Sequence, residues 1–312
     1  MRIIQQWQGL DPADRGAAVA LGNFDGVHRG HLAVLDLARA AAAATHAPLG
    51  VITFEPHPRQ FFAPTAAPFR LMNAESRAHR LEKLGVALLY ELPFSAELVG
   101  MEAESFARDV LAQGLGIRHV VVGADFRFGK GRAGSAADLV TLGHRHGFAT
   151  TIADLVAEAG AEISSTSIRA ALAAGRPRDA AAMLGHWHRI DGEVIHGEKR
   201  GRALGFPTAN MALTGLHQPR LGIYAVKVDV LTGPQQGSYL GAASLGTRPM
   251  FGENLPNLET FLFDFSGDLY GHHLSVALVD YLRPEMTFDG LPSLIAQMTA
   301  DCVQARALLA AL

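Results

Sequence analysis

Among 312 residues there is one cysteine, Cys302. No internal disulfide can form and a cysteine-built metal site is excluded, so a reducing compartment, the cytoplasm, is predicted. An excess of one charge is missing too. Lys and Arg number 27 against 30 Asp and Glu, a formal net charge of −3, so no global field draws the chain to nucleic acid or a membrane surface. Long hydrophobic runs are absent: Met1-Arg2-Ile3-Ile4-Gln5-Gln6-Trp7 has no apolar core of signal-peptide length, and no stretch approaches the roughly 20 apolar residues that span a bilayer. No internal repeat is visible. His144, His146, His186, His188, His272 and His273 form no transition-metal spacing, and Gly129-Lys130-Gly131-Arg132-Ala133-Gly134 lacks the GK[ST] ending of a P-loop. Binding of anionic partners must come from local arrangements.

What is present is ample apolar material: 49% of residues are hydrophobic and 18% charged, which argues against disorder and allows sizeable cores. The length fits about two domains of roughly 100–200 residues. Through the first half, strand-like runs (Val19–Leu21, Leu49–Phe54, Val86–Leu92, His119–Gly123, Ala149–Leu155) alternate with helical patterns (Leu32–Ala44, Glu75–Leu84, Glu102–Gln113, Ala136–His146). That alternation predicts an α/β, Rossmann-like parallel sheet covered on both faces, with the loops after the strands sharing one ligand-binding edge. A short helix between Gly175 and Gly185 closes it, giving a first domain of residues 1–185. From Ile190 onward, strand candidates (Ile190–Ile195, Tyr224–Val230, Tyr239–Leu245, Glu259–Phe265, Leu274–Leu282) follow one another without long helices until Leu291–Leu309. Residues 186–312 therefore read as an antiparallel β-barrel with a terminal helix.

Asn23-Phe24-Asp25-Gly26-Val27-His28-Arg29-Gly30-His31 sits where the first of these strands hands over to a helix. A helix start offers unpaired N–H groups and the positive dipole end to a phosphate, and two imidazoles there can donate to its oxygens. Gly22, Gly26 and Gly30 let backbone approach a ligand. The same residues also read as a turn with two solvated histidines. Ile163-Ser164-Ser165-Thr166-Ser167-Ile168-Arg169 places hydroxyls and an arginine fork at a helix start, either as a plain N-cap or as a phosphate grip. Gly123-Ala124-Asp125-Phe126-Arg127-Phe128-Gly129 follows a strand; Asp125 can accept from a ribose or base, while Phe126 and Phe128 can be packing alone. Glu55-Pro56-His57-Pro58 reads as a proline-stiffened turn on the same edge. In the second half, Gly197 to Asn210 interleaves glycine and arginine and ends Pro207-Thr208-Ala209-Asn210. Such a loop brings donors to a polyphosphate, and a threonine hydroxyl with an asparagine amide suits a hard cation.

Taken together these strings resemble the bacterial bifunctional riboflavin kinase/FMN adenylyltransferases, the prokaryotic FAD synthetases, from about Val19 to Arg306. The histidine loop resembles their HxGH-type signature, with an N-terminal nucleotidyltransferase-like sheet. That resemblance implies that His28 and His31 stabilise the transition state as FMN phosphate attacks the α-phosphorus of ATP. It implies that Gly22, Asn23, Phe24, Asp25 and Asp125 help bind the nucleotide, and that Ser164, Thr166 and Arg169 hold the departing pyrophosphate. Gly201, Arg202, Gly205, Thr208 and Asn210 would bind the kinase nucleotide, Thr208 and Asn210 would hold Mg²⁺, and Glu259 in Asn257-Leu258-Glu259-Thr260-Phe261 would be general base toward riboflavin. Ser244, Leu245 and Met250 depart from the family's usual pattern. The partners implied are riboflavin, FMN, FAD and ATP, with no nucleic acid and no membrane; the oligomeric state cannot be read. Two other readings stay open: an adenylyltransferase with a non-catalytic flavin-binding barrel, and a nucleotidyltransferase for another mononucleotide.

Overall fold

The apolar runs of the first half become parallel strands. The computed structural model describes residues 1–154, 157–158, 161–197, 201, 204–250 and 253–312, which form two units: Met1–Ala67 with Ala74–Ile163, and Pro68–Asn73 with Ser164–Leu312. In the first, β1 (Arg2–Ile4), β2 (Ala18–Leu21), β3 (Leu49–Glu55), β4 (Leu88–Pro93), β5 (His119–Gly123) and β8 (Ala149–Ala153) make a sheet of order β1-β4-β3-β2-β5-β8, every neighbouring pair parallel. The ribbon β6 (Arg127–Phe128) and β7 (Gly134–Ser135) and the hairpin β9 (Ala157–Glu158) and β10 (Ala161–Glu162) are accessory. The winding reverses between β2 and β5, and the edge beyond such a switch point is where ligands bind in sheets of this kind.

The helices are α1 (Arg29–Thr45), α2 (Pro58–Phe62), α3 (Ala74–Lys83), α4 (Ala96–Gly100), α5 (Ala103–Ser105) and α6 (Ala136–His146). The helix expected over Glu102–Gln113 is split: α5 passes into a π-helical stretch, Phe106–Gly114, whose wide turn ends with the Leu115 amide reaching the Val110 carbonyl. Strand β1 was not expected, because three residues carry too little periodicity to read. Val19, Leu21, Ile52, Tyr90, Val120 and Val122 pack under Phe106, Val110, Leu111 and Leu139 as the core of this unit.

In the second unit α7 (Ser165–Ala173) and α8 (Pro177–Leu184) precede β11 (His188–Glu193), β12 (Ala209–Ala212), β13 (Gly222–Val230), β14 (Gly237–Met250), β15 (Glu253–Leu262), β16 (His273–Arg283) and α9 (Leu291–Ala310). The strands run antiparallel in the order β11-β16-β13-β14-β15-β12, and a bridge from Ile195 to Asn210 brings the two ends together into a near-closed barrel. Strand β11 starts earlier than the expected Ile190 and stops before Ile195. In β13, Tyr224, Val226, Val228 and Val230 fill the barrel, while Ala225 faces Ala305 and Leu309 of α9. Strand β12 lies in a stretch expected to be loop.

Candidate active sites

Between β2 and α1 the chain turns through Gly22 to His28. Phe24 and Val27 hold left-handed φ values of 52° and 45°, and both are buried. A bulky or β-branched residue there is strained, costing about 1–3 kcal/mol that the surrounding structure must offset, a pattern that clusters at ligand sites. The Gly22 amide donates to the Ile52 carbonyl at 3.1 Å and the Thr53 hydroxyl donates to the Asn23 carbonyl at 3.1 Å, which pins the loop to β3. Asp25 is buried beside them, and Asn23 is exposed.

His28 caps α1. Its Nδ1 accepts from the His31 amide at 3.3 Å, and the His31 Nδ1 accepts in return from the His28 amide at 3.3 Å. The rings stack with centroids 3.7 Å apart, and Phe24 lies 4.9 Å from His31. Because each Nδ1 is an acceptor, a neutral ring carries its proton on Nε2, so each imidazole is an N–H donor at its outer nitrogen. Burial, and then the neighbouring His28, hold the His31 imidazole well below its ordinary range. A Cβ on Gly30 would meet the His28 ring at 3.1 Å, so glycine here makes room for the imidazole as much as for a ligand.

The loops after β3 and β5 leave the same edge. His57 caps α2, with Nδ1 accepting from the Arg59 amide at 3.1 Å, so the expected proline turn is a short helix. That helix contributes to an aromatic group sequence reasoning missed: its Phe61 and Phe62 meet Phe94, which follows β4, edge to face at 5.4 to 5.9 Å, and Phe62 is 66% exposed. Two adjacent phenylalanines after a capping histidine were the available signal. Beyond β5, Asp125 is exposed, while Phe126 and Phe128 stack at 5.6 Å against the core, so packing accounts for both. Beneath this edge Arg77 of α3 is almost wholly buried and donates to Glu55 at 3.0 Å and Glu91 at 2.6 Å.

Ser164, Thr166 and Arg169 belong to the second unit. Ser164 Oγ accepts from the Ser167 amide at 3.2 Å and Ser167 Oγ from the Ser164 amide at 3.1 Å, capping α7. Thr166 is exposed in the first turn. Arg169 donates through Nε to the Phe69 carbonyl at 2.6 Å, its guanidinium 5.3 Å from the Phe69 ring.

The barrel opens on a cavity of about 640 Å³. Gly201, Thr208, Asn210, Ser244 and Glu259 line one part, and Phe206, Phe261, Met286, Phe288 and Met298 make an apolar wall. Strand β12 sets Asn210 directly opposite Glu259, and β14 sets Ser244 on the other side of Glu259. The Asn210 amide is oriented twice over: Nδ2 donates to the Thr208 carbonyl at 3.3 Å and Oδ1 accepts from Asn257 at 3.0 Å. A Cβ on Gly197 would lie 2.6 Å from that amide, which explains the glycine. Gly205 is exposed, at φ 83°. Arg202 lies outside the described residues, as does the side chain of Met250; Leu245 is fully buried in the barrel, so its departure from the family pattern concerns packing. Arg283 forks onto Asp301 at 2.9 and 2.6 Å, tying β16 to α9 at the cavity. Burial, then Asp301, push the Cys302 thiol up to about 11, which makes it an unreactive part of the wall.

Among the described residues, no group of three or more His, Cys, Asp or Glu could hold a metal. Thr208 and Asn210 offer instead two hard oxygen donors on a fixed strand start, a set that fits a cation keeping water and phosphate as its other ligands.

Residues 10–167 match the FAD synthetase family model and residues 184–309 the riboflavin kinase model. The chain is similar to a bifunctional riboflavin kinase/FMN adenylyltransferase of Pseudomonas fluorescens, 40% identical over 311 residues, 99% of this chain and 98% of that one. It is 38% identical over 307 residues to the protein of that name from Escherichia coli K12, covering 98% and 97%. A solved structure from Streptococcus pneumoniae, described as a macrolide-efflux protein, has a TM-score of 0.82 at 31% identity over 96% and 97% of the two chains. Its description concerns that protein; no described helix here is long and apolar enough to cross a membrane.

Proposed function

The chain belongs to the family of bifunctional riboflavin kinase/FMN adenylyltransferases, and on that premise we propose how its residues divide the two reactions. It is a riboflavin kinase and an FMN adenylyltransferase, which makes FMN and then FAD with ATP. The readings of a non-catalytic barrel and of another mononucleotide as substrate give way to this. We assign adenylylation to residues 1–185 and phosphorylation to residues 186–312.

In the kinase, Glu259 takes the proton of the ribityl 5′-hydroxyl as its oxygen attacks the γ-phosphorus of ATP and ADP leaves. Gly201, Arg202 and Gly205 hold the nucleotide, and the apolar wall takes the isoalloxazine. Thr208 and Asn210 hold Mg²⁺, which when bound neutralises phosphate charge. The single observation that carries this is the β12–β15 register, which brings Asn210 and Glu259 to one cavity wall. Positioning and charge neutralisation dominate phosphoryl transfer, and a base adds about 10²–10⁴-fold.

In the adenylyltransferase, an FMN phosphate oxygen attacks the α-phosphorus and pyrophosphate leaves. Nε2–H groups of His28 and His31 donate to the charge that builds up, with Gly22, Asn23, Phe24, Asp25 and Asp125 about the nucleotide. Ser164, Thr166 and Arg169 grip the pyrophosphate, and the exposed Phe62 offers a stacking face to the flavin. The expected compartment is the cytoplasm, where ATP is supplied.

Incubation with riboflavin, ATP and Mg²⁺, resolved by chromatography, tests the assignment of sites when repeated on variants. Thr208→Ala raises the magnesium or ATP that kinase turnover needs and leaves FMN adenylylation alone. Unchanged magnesium dependence would move the cation site elsewhere.

A further inference from the structure

Arg169 is held from the barrel side of the chain. The segment Pro68–Asn73, which interrupts the first unit's sequence, packs in the second unit, where Arg70 bridges to Leu216. Leu216 is itself buried in the barrel core. From this anchor the next residue, His217, donates by its backbone amide to the Arg70 carbonyl at 2.7 Å. Its ring Nε2 meets the Arg169 carbonyl at 3.1 Å, and since a carbonyl only accepts, Nε2 is the donor. Three residues on, the Arg220 amide donates to the Leu172 carbonyl at 3.0 Å. Helix α7 is thus gripped at Arg169 and Leu172 by the segment that leads into β13. The buried face of α7, Ile168, Ala171 and Leu172, packs on Leu71 of the 68–73 segment. That same segment supplies the Phe69 carbonyl that fixes the direction of the Arg169 guanidinium.

We infer that His217, which lies on the kinase side of the chain, is a positioning residue for adenylyl transfer. It locks the register of α7 against the Phe69–Arg70 backbone, so that the Arg169 fork is aimed before ATP arrives. The inference rests on the reading of Arg169 as the pyrophosphate grip. A catalytic fork displaced by about 1 Å can cost on the order of 10²-fold in rate, so one hydrogen bond at its helix is enough to matter.

The test compares four full-length proteins, His217→Ala, His217→Gln, Arg169→Ala and the His217→Ala/Arg169→Ala double variant, in separate assays of FMN adenylylation and riboflavin phosphorylation. Expected is a fall of about tenfold or more in adenylylation kcat/KM for His217→Ala, carried by KM for ATP, with riboflavin phosphorylation unchanged. His217→Gln, whose amide can still donate to the Arg169 carbonyl, restores most of the activity. The double variant is no worse than Arg169→Ala alone, because both changes remove the same aimed fork. Undiminished adenylylation in His217→Ala beside an impaired Arg169→Ala overturns the inference. So does a parallel loss of both activities, which marks damage to the barrel. An Arg169→Ala protein with full adenylylation would instead remove the pyrophosphate grip on which the inference stands.

Discussion

At the scale of single residues, two histidines of different burial do different things. His31 is kept neutral by burial and by His28, and its Nδ1 is spent on the α1 cap, so its chemistry is that of an Nε2–H donor. Removing one donor aimed at developing charge costs about 10²–10³-fold, and His31→Ala is expected to lose that much FMN adenylylation with riboflavin phosphorylation intact. Equal loss in both half-reactions would mean the cap, not the donor, is what the variant removes. His188 in β11 has no place in either reaction. Burial, then His186 and His217, push its imidazole down to about 3 from 6.5. The folded chain therefore stays unprotonated there while the unfolded chain takes up a proton below about pH 6.5. The corresponding stability is present in full above that pH and is lost as pH falls toward about 3. Urea midpoints measured at pH 7 and about pH 4 should converge for His188→Gln relative to the parent; an unchanged acid slope would assign the loss to carboxylates.

At the scale of elements, a buried arginine joins α3 to the ends of β3 and β4. Arg77 has a side-chain exposure of 1% and Glu91 of 8%, so Arg77→Met strands a buried carboxylate and should destabilise the protein by about 3–5 kcal/mol in chemical denaturation. A loss below about 1 kcal/mol would place the pair in water. Elements with strong period were legible in sequence: α6 spans the expected Ala136–His146, and β5 the expected His119–Gly123. Strand β12 was not legible, because Pro207-Thr208-Ala209-Asn210 has turn composition and acquires its strand geometry only by pairing with β15. Local motifs therefore exposed Thr208, Asn210 and Glu259 one by one, while their meeting in one wall needed a long-range register. Asn257, which orients Asn210, and Phe69 with His217, which hold Arg169, were illegible for the same reason: each acts through a partner distant in sequence. The close approach of Gly197 to Asn210 gives this a test, since Gly197→Ala must displace the amide and should cost about tenfold or more in kinase turnover without touching adenylylation.

At the scale of the whole molecule, two units, each with its own hydrophobic core, belong to one chain whose two reactions are joined by one intermediate, FMN. Glu259→Gln keeps the size of the side chain and removes its capacity as a base, so riboflavin should still bind while phosphorylation falls on the order of 10²-fold. Adenylylation of supplied FMN should persist in that protein, just as phosphorylation persists in His31→Ala. Neither variant alone makes FAD from riboflavin at the parent's rate. Their mixture should, because FMN formed in the barrel of one protein can be adenylylated on the histidine loop of the other. The route through solvent imposes a lag, since FMN must first build up toward what the second site needs, and added FMN should abolish that lag. Time courses of riboflavin, FMN and FAD at several protein concentrations decide it. A parent protein that makes FAD with no lag where the mixture lags, at matched concentrations of each site, would show that FMN passes between the sites of one chain without release. The two sites would then have to be treated as one catalytic path rather than as two enzymes on one chain.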